Sequence, residues 1–463
     1  MKDLYYSLKE RINYMLLLTI GILVFLAVLS YSIFDRDFSA PPTVVSFVML
    51  FGAVCTFYNE DLWGLSLSDT TVLIIISGVS AFMIGGFFAF AIANFHRLDD
   101  AGFSHRVSPI EPINVSRLKS VLVVLGEVLI VFWLFSQLKQ LTGGAMWLDM
   151  VSAFRHQKTM DPDAYTMRLP FLLKQSISLC FYIAFVYCYI VGNNIAARVK
   201  QPFINWMPII LATLMAFMQG YRSDMLRFWI AILVVTYTLR KRSVGWKRGK
   251  ETRDLLKKII ISALCIAVLF VTVRTFVGRT SDKDPLAYLT FYAGCPVAAL
   301  DAFVKDPLMP SNIIGKETFY NLNLNIGTIF DIPELKGYNF FKEFRQSPNG
   351  TWVGNVYTGF RPPYYDFGLF GMMIVMMIMG LFFTYFYFKV RTRYGSALID
   401  FRLLVYSYVS YTFFMYFYNC YNTFVSLSII KSVLIFYAFQ YFLFGKPFGK
   451  SSASKNDALS NVS

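Results

Sequence analysis

The chain has 463 residues, of which 56% are hydrophobic, 18% aromatic and only 15% charged, against about 25% charged residues in an ordinary soluble domain. A soluble fold of this size has too little interior for that much apolar surface, so the composition specifies a polytopic membrane protein. The formal net charge of +15 invites a nucleic-acid partner, but the basic residues gather in short stretches between apolar runs, which is a topology signal and points to no nucleic acid.

A span needs about 20 mostly apolar residues. In chain order the candidates are Tyr14–Phe34, Pro42–Tyr58, Thr70–Asn94, Ser120–Phe135, Phe171–Gly192 and Pro202–Met218. Met225–Leu239, Ile259–Val277, Phe367–Phe388, Leu403–Tyr418 and Phe424–Phe444 follow. The first is too long for a signal-peptide core and reads as an anchor. The fold class is therefore an all-α bundle of about 11 transmembrane helices, with short or charge-bearing runs widening the range to 10–13. Residues 1–450 read as one membrane domain, and 451–463 as a polar, disordered cytoplasmic tail.

Nine basic residues between Arg240 and Lys258 mark one connection as cytoplasmic. Arg97–Lys119, Arg198/Lys200, Lys389/Arg391/Arg393 and Lys446/Lys450/Lys455 fall on the same side by counting spans. Thr142–Pro170, Gly220–Asp224 and Arg279–Asp366 fall opposite. The N-terminus conflicts with this scheme: an odd number of spans puts it outside, while Lys2, Lys9 and Arg11 argue for inside.

The segment 279–366 is an 88-residue outer loop with eight basic and nine acidic residues, too long to be structureless without a function. Within it, Pro285–Val304 is apolar enough for an interfacial or re-entrant helix, and Pro333–Phe344 reads as a short amphipathic helix. Five cysteines (Cys55, Cys180, Cys188, Cys265 and Cys420) lie in apolar runs, Cys295 lies in this segment, and no CxxC occurs. Neither a disulfide framework nor a thiolate metal site is supported.

Charges near the hydrocarbon are the sharpest functional pointers, because each is costly without a partner or a purpose. Arg222 stands at the corner Gln219–Asp224, with Arg227 one turn on; Arg274 and Arg279 stand at the outer end of another span, and Arg361 just before a further one. A guanidinium fork suits phosphate oxygens, so a lipid-linked diphosphate is a natural ligand; snorkelling anchors are the alternative. The densest cluster is Asn355-Val356-Tyr357-Thr358-Gly359-Phe360-Arg361-Pro362-Pro363-Tyr364-Tyr365-Asp366-Phe367-Gly368-Leu369-Phe370-Gly371. Its two prolines predict an extended approach, with Asp366 as the N-cap of the next span.

Asp301 offers a general base or an arginine partner. Asp282-Lys283-Asp284 has a DxD spacing, Glu127 and Lys174 could pair across helices, and His96, His105 and His156 read as loop residues. No P-loop, HExxH, GxSxG or dinucleotide fingerprint is present, which disfavours an ATP-driven pump.

That 355–371 motif, after a large outer loop and an arginine corner, resembles the Wzy-type oligosaccharide repeat-unit polymerases of bacterial O-antigen and capsule synthesis. The resemblance covers nearly the whole layout and implies a multi-pass inner-membrane enzyme with a GT-C-like bundle and a periplasmic loop at 279–366. It implies transfer of a growing glycan from undecaprenyl diphosphate onto the non-reducing end of a fresh lipid-linked unit, with no metal and no cofactor. Carried over, Arg222, Arg274, Arg279 and Arg361 bind diphosphate, and Asn355, Thr358, Tyr364 and Tyr365 shape the sugar site. Asp366 and Asp301 are the catalytic candidates. Membrane lipid and a chain-length regulator are the implied partners. An O-antigen ligase would call for a histidine in the outer loop, and Arg279–Asp366 holds none. A flippase would call for internal repeats, and none is read; an acyltransferase has only His96 and His105 to draw on.

Overall fold

The computed structural model describes residues 2–98, 109–160, 168–246, 250–274, 284–336, 342–391, 398–420 and 425–445. Helices dominate. They are α1 (Lys2–Ile33), α2 (Pro41–Tyr58), α3 (Glu60–Trp63), α4 (Asp69–Leu98) and α5 (Arg117–Leu141). Next come α6 (Trp147–Met160), α7 (Phe171–Ala196), α8 (Met207–Met218), α9 (Ser223–Ser243) and α10 (Lys250–Thr272). The last are α11 (Pro285–Lys305), α12 (Tyr320–Ile329), α13 (Arg361–Arg391), α14 (Phe401–Phe414) and α15 (Ser428–Phe444). Two short strands, β1 (Arg345–Gln346) and β2 (Trp352–Gly354), pair antiparallel.

Among the described residues seven helices are long and apolar enough to cross a membrane: α1 from Tyr14, α2, α4, α5, α7, α11 and α13. On α5, Leu118, Leu122, Leu125, Leu129 and Phe132 are all exposed; this is one stripe at helical spacing, a face that lipid covers. The chain is an all-α, multi-pass membrane protein. Six of the expected spans meet the length and composition standard, and the seventh is α11. Three apolar helices are shorter (Phe203–Met218, Ile260–Thr272 and Ser428–Phe444). Of the other two expected spans, α9 carries charges at both ends and α14 has only 14 residues.

The chain divides into two compact units. The first comprises Met1–Ala101, Asp282–Lys389 and Thr412–Ser428. Here α1, α2 and α4 alternate in direction, and α13 runs parallel to α4. A Cβ on Gly85 would lie 1.9 Å from the Met377 carbonyl oxygen, and one on Gly380 2.0 Å from that of Phe82. The two backbones touch there, a closeness only glycine permits. Further along, the rings of Phe90 and Phe388 are 5.3 Å apart. The Asp37 carboxylate, in the α1–α2 turn, accepts from the Ser39 amide at 3.0 Å and from the Tyr387 hydroxyl. One end of the unit thus holds that turn and the C-terminus of α13. The other holds the N-termini of α1, α4 and α13.

The stretch read as an outer loop departs from expectation in three places. Its first part is α11, capped where the Asp284 carboxylate accepts from the Ala287 amide at 2.9 Å. This helix is buried from Ala293 to Asp301 and packs on α2, so 21 of the loop's residues belong to the bundle. Of the amphipathic helix expected over 333–344, Pro333–Leu335 makes one 3-10 turn and 342–344 are non-helical, while 337–341 lie outside the described residues. Finally, Pro362 and Pro363 sit in the first turn of α13 rather than in an extended approach. Their missing N–H groups have no helical partner there in any case. The break comes later, at Gly368, with φ 66° and ψ −170°.

The second unit comprises Gly102–Ser281, Val390–Tyr411 and Ile429–Ser463. Helix α7 is its hub, packed against α5, α8 and α9. Asn194 pins the segment before α5 by accepting from the Ile113 amide at 2.6 Å and donating to the Ile113 carbonyl at 2.8 Å. Arg242 pairs with Asp400 at 2.9 Å, nearly buried. Glu127 is buried with neither carboxylate oxygen hydrogen-bonded, and Lys174 is exposed, so the two do not pair. The tail 451–463 lies outside the described residues.

Candidate functional site

The N-terminal end of α13, in the first unit, gathers a chain of charges. The approach to it is fixed where the Gly359 amide donates to the Tyr416 carbonyl at 2.7 Å. Arg361 follows, fully buried. Its Nη2 lies 3.1 Å from Glu317 Oε1 and 2.8 Å from Glu343 Oε2. The guanidinium carbon stands 3.9 Å from the centre of the Tyr357 ring and 4.5 Å from that of Phe303. Stacking of this kind is characteristic of arginine rather than lysine. Glu343 also takes Arg345 at 3.1 Å, and Arg345 reaches on to the Asp306 carboxylate. The Lys342 ammonium donates to Asn419 Oδ1 at 3.0 Å.

Burial sets the electrostatics of this network. It pushes the Glu317 carboxyl above its usual range, and the neighbouring Lys342 and Arg361 offset that only in part. One Glu317 oxygen, Oε2, is buried without a hydrogen-bond partner. Burial also raises Glu343, but Arg361, a backbone N–H and Arg345 together outweigh it and hold this carboxyl below its usual value. Lys342 is pulled down by the same burial.

The predicted residues fall into this frame unevenly. Asp366 does not cap its own helix; its carboxylate accepts the backbone N–H groups of Glu317 at 3.1 Å and Thr318 at 2.7 Å, bracing the turn into α12. Asp301 is buried at the start of α4, accepting from the Ser68 amide and the Thr71 hydroxyl at 2.8 Å each, with Lys305 at 2.6 Å. Thr358 is buried and its hydroxyl has no partner. Asn355 and Tyr364 are half-buried, and the Tyr365 hydroxyl donates to the Met309 carbonyl at 2.9 Å. Asp284 is occupied as a cap, while Asp282 and Lys283 lie outside the described residues. Among the described residues no group of three or more His, Cys, Asp or Glu could hold a metal ion.

The other arginines belong to the second unit. Gly220 turns its corner with φ +77°, and Arg222 is buried behind it. The Arg222 guanidinium carbon is 4.2 Å from the centre of the Phe270 ring, and Nη1 donates to the Phe270 carbonyl at 3.4 Å. Arg227 pairs with Asp224 at 3.5 Å, and Arg274 is half-buried past the end of α10. Arg279 and His105 lie outside the described residues; His156 is exposed.

Beside the charge chain a cleft of about 440 Å3 opens between the C-terminal end of α11 and the β1–β2 hairpin. Leu65, Ala302, Lys305, Arg345 and Trp352 line it. Sequence reasoning missed Glu317, Lys342, Glu343, Arg345 and Asp306. The signal for them was the near-equal number of acids and bases in 279–366, which reflects charges paired with one another. Set against known proteins, the chain matches no family model, no curated protein and no solved structure.

Proposed function

We propose that the protein is a metal-independent membrane glycosyltransferase of the bacterial inner membrane. It polymerises undecaprenyl-diphosphate-linked oligosaccharide repeat units at the periplasmic face. The eleven-span, GT-C-like bundle and the chain-length partner belong to the same proposal. One observation carries it: the 355–371 motif supplies Tyr357, Thr358, Arg361, Tyr365 and Asp366 to a single charged end that borders an open cleft.

Glycosyl transfer from a diphosphate needs cations against the charge building on the leaving group, and a base for the attacking hydroxyl. Arg222, Arg274 and Arg279 are the diphosphate candidates that the resemblance supplies, and they belong to the second unit. The charge of Arg361 is already matched by two carboxylates, so its role here is to hold Glu317 and Glu343. Asp366 and Asp301 have their oxygens taken up by structural donors. The base is therefore assigned to Glu317, which keeps an unpartnered oxygen.

The test uses purified enzyme with lipid-linked repeat units, with and without chelator, beside Glu317→Gln and Arg274→Ala in cells. Chain lengthening insensitive to chelator and lost in both variants, with single units still attached to the final acceptor, is the expected result. Loss of all attached glycan, single units included, would indicate a ligase or flippase instead. Chelator-sensitive lengthening would overturn the metal-independent assignment.

A further inference from the structure

The cleft beside the charge chain is built to hold something other than a phosphate. Its strand wall follows the two-residue period of extended chain. Phe344, Gln346 and Trp352 are exposed while Val353 is buried, and Gln346 stands directly opposite Trp352 in the strand register. Trp352 is 59% exposed and Phe344 38%, so two aromatic rings and an amide face the opening together. The other wall is the last turns of α11, where Ala298 and Ala302, one turn apart, keep the surface low enough for a ring to approach the indole.

The charges around it cancel. Lys305 is paired with Asp301, and Arg345 with Asp306 and Glu343. A site with its cations already matched has no surplus to hold a diphosphate. What it offers is flat aromatic surface, an amide that both donates and accepts, and the largely exposed Asp306 carboxylate at the rim. A pyranose presents that complement: a C–H face that packs on a ring, and equatorial hydroxyls that need donors and acceptors around the edge. At about 440 Å3 the cleft falls within the range of small-ligand sites.

We propose that this cleft is a subsite for an uncharged saccharide, namely the non-reducing end of the incoming acceptor unit, with Trp352 as its stacking platform. The proposal rests on the polymerase reading for the word acceptor, but the binding itself can be measured without turnover. It makes Trp352 and Gln346 specificity residues for the acceptor sugar.

The experiment uses the full chain in detergent and the host's repeat-unit oligosaccharide freed from its lipid diphosphate by mild acid. Saturation-transfer NMR reports binding, with inorganic pyrophosphate as competitor. Transfer to the sugar protons is expected in the wild type. Trp352→Ala weakens it about tenfold, and Trp352→Phe, which keeps a ring, retains most of it. Gln346→Ala weakens it less, and pyrophosphate does not compete.

Equal binding by the wild type and Trp352→Ala overturns the proposal and leaves Trp352 an interface anchor. Absence of transfer in the wild type overturns it too, and competition by pyrophosphate overturns the uncharged assignment. In the lengthening assay Trp352→Ala raises KM for the acceptor about tenfold with kcat little changed. Trp352-dependent binding without lengthening by the wild type keeps the subsite and removes the polymerase. Lengthening with an unchanged acceptor KM in Trp352→Ala does the reverse.

Discussion

The carboxylate of Asp366 accepts the backbone N–H of Thr318 at 2.7 Å, across 48 residues of sequence, and that of Glu317 beside it. The second turn of α13 therefore holds the turn that carries Glu317. Asp366→Ala removes both bonds and lowers stability by about 1.5–3 kcal/mol, the range for hydrogen bonds to a charged group. Asp366→Asn keeps one acceptor oxygen and recovers part of that loss along with measurable chain lengthening. Melting curves in detergent beside a turnover assay check this. Abolished turnover with an unchanged Tm in Asp366→Asn would restore Asp366 as the base.

Glu317 and Glu343 titrate in opposite senses. The raised Glu317 carboxyl contributes stability that is fully present below the ordinary carboxylate pKa and is lost as pH rises through its folded value. Glu343, held low, contributes above the ordinary value and loses that contribution as pH falls through its folded one. Relative to Glu317→Gln, the wild type should lose Tm as pH rises, while relative to Glu343→Gln it should lose Tm as pH falls. Turnover by the wild type should rise with pH over the first window, since a base must be ionised.

Removing Arg361 leaves two carboxylates facing each other in a buried site. Arg361→Ala should cost about 3–5 kcal/mol, the penalty of an orphaned buried charge. Arg361→Lys should recover little, since an ammonium loses the planar stacking on Tyr357. The triple variant R361M/E317L/E343L should regain most of the lost Tm without regaining activity. A triple variant no more stable than Arg361→Ala would show that these three groups do not act as one unit.

Gly368 lies in a backbone region that is essentially closed to other residues. Gly368→Ala should cost about 1–3 kcal/mol. Gly126→Ala, in α5 with open space around its Cβ, should be neutral or stabilising by up to about 1 kcal/mol. Paired melting curves decide it. Equal Tm shifts in the two variants would mean that the α13 break carries no conformational requirement.

Helix identity and membrane class were legible because they follow from composition and long apolar runs. The fate of α11 was half legible: its apolar length was evident, but its burial against α2 depends on Gly294, whose Cβ would meet the Cys55–Thr56 backbone at under 3 Å. Such a close approach has no one-dimensional signal. The role of Asp366 was misplaced for a related reason. A carboxylate at a helix start looks like a cap, and nothing in the local sequence says that its partners are the amides of 317 and 318. The proline pair misled because the same residue that ends a helix also opens one.

The tie between Asp301 and the start of α4 also bears on how the chain is made. The Ser68 amide and the Thr71 hydroxyl donate to a carboxylate synthesised 233 and 230 residues later. At roughly 5–20 residues per second the wait is on the order of 10–50 seconds. During it α1, α2 and α4 exist without α11 or α13, with the Gly85 face uncovered, while α5–α10 are synthesised. The early helices of this unit thus wait for the later ones to cover their polar and glycine contacts.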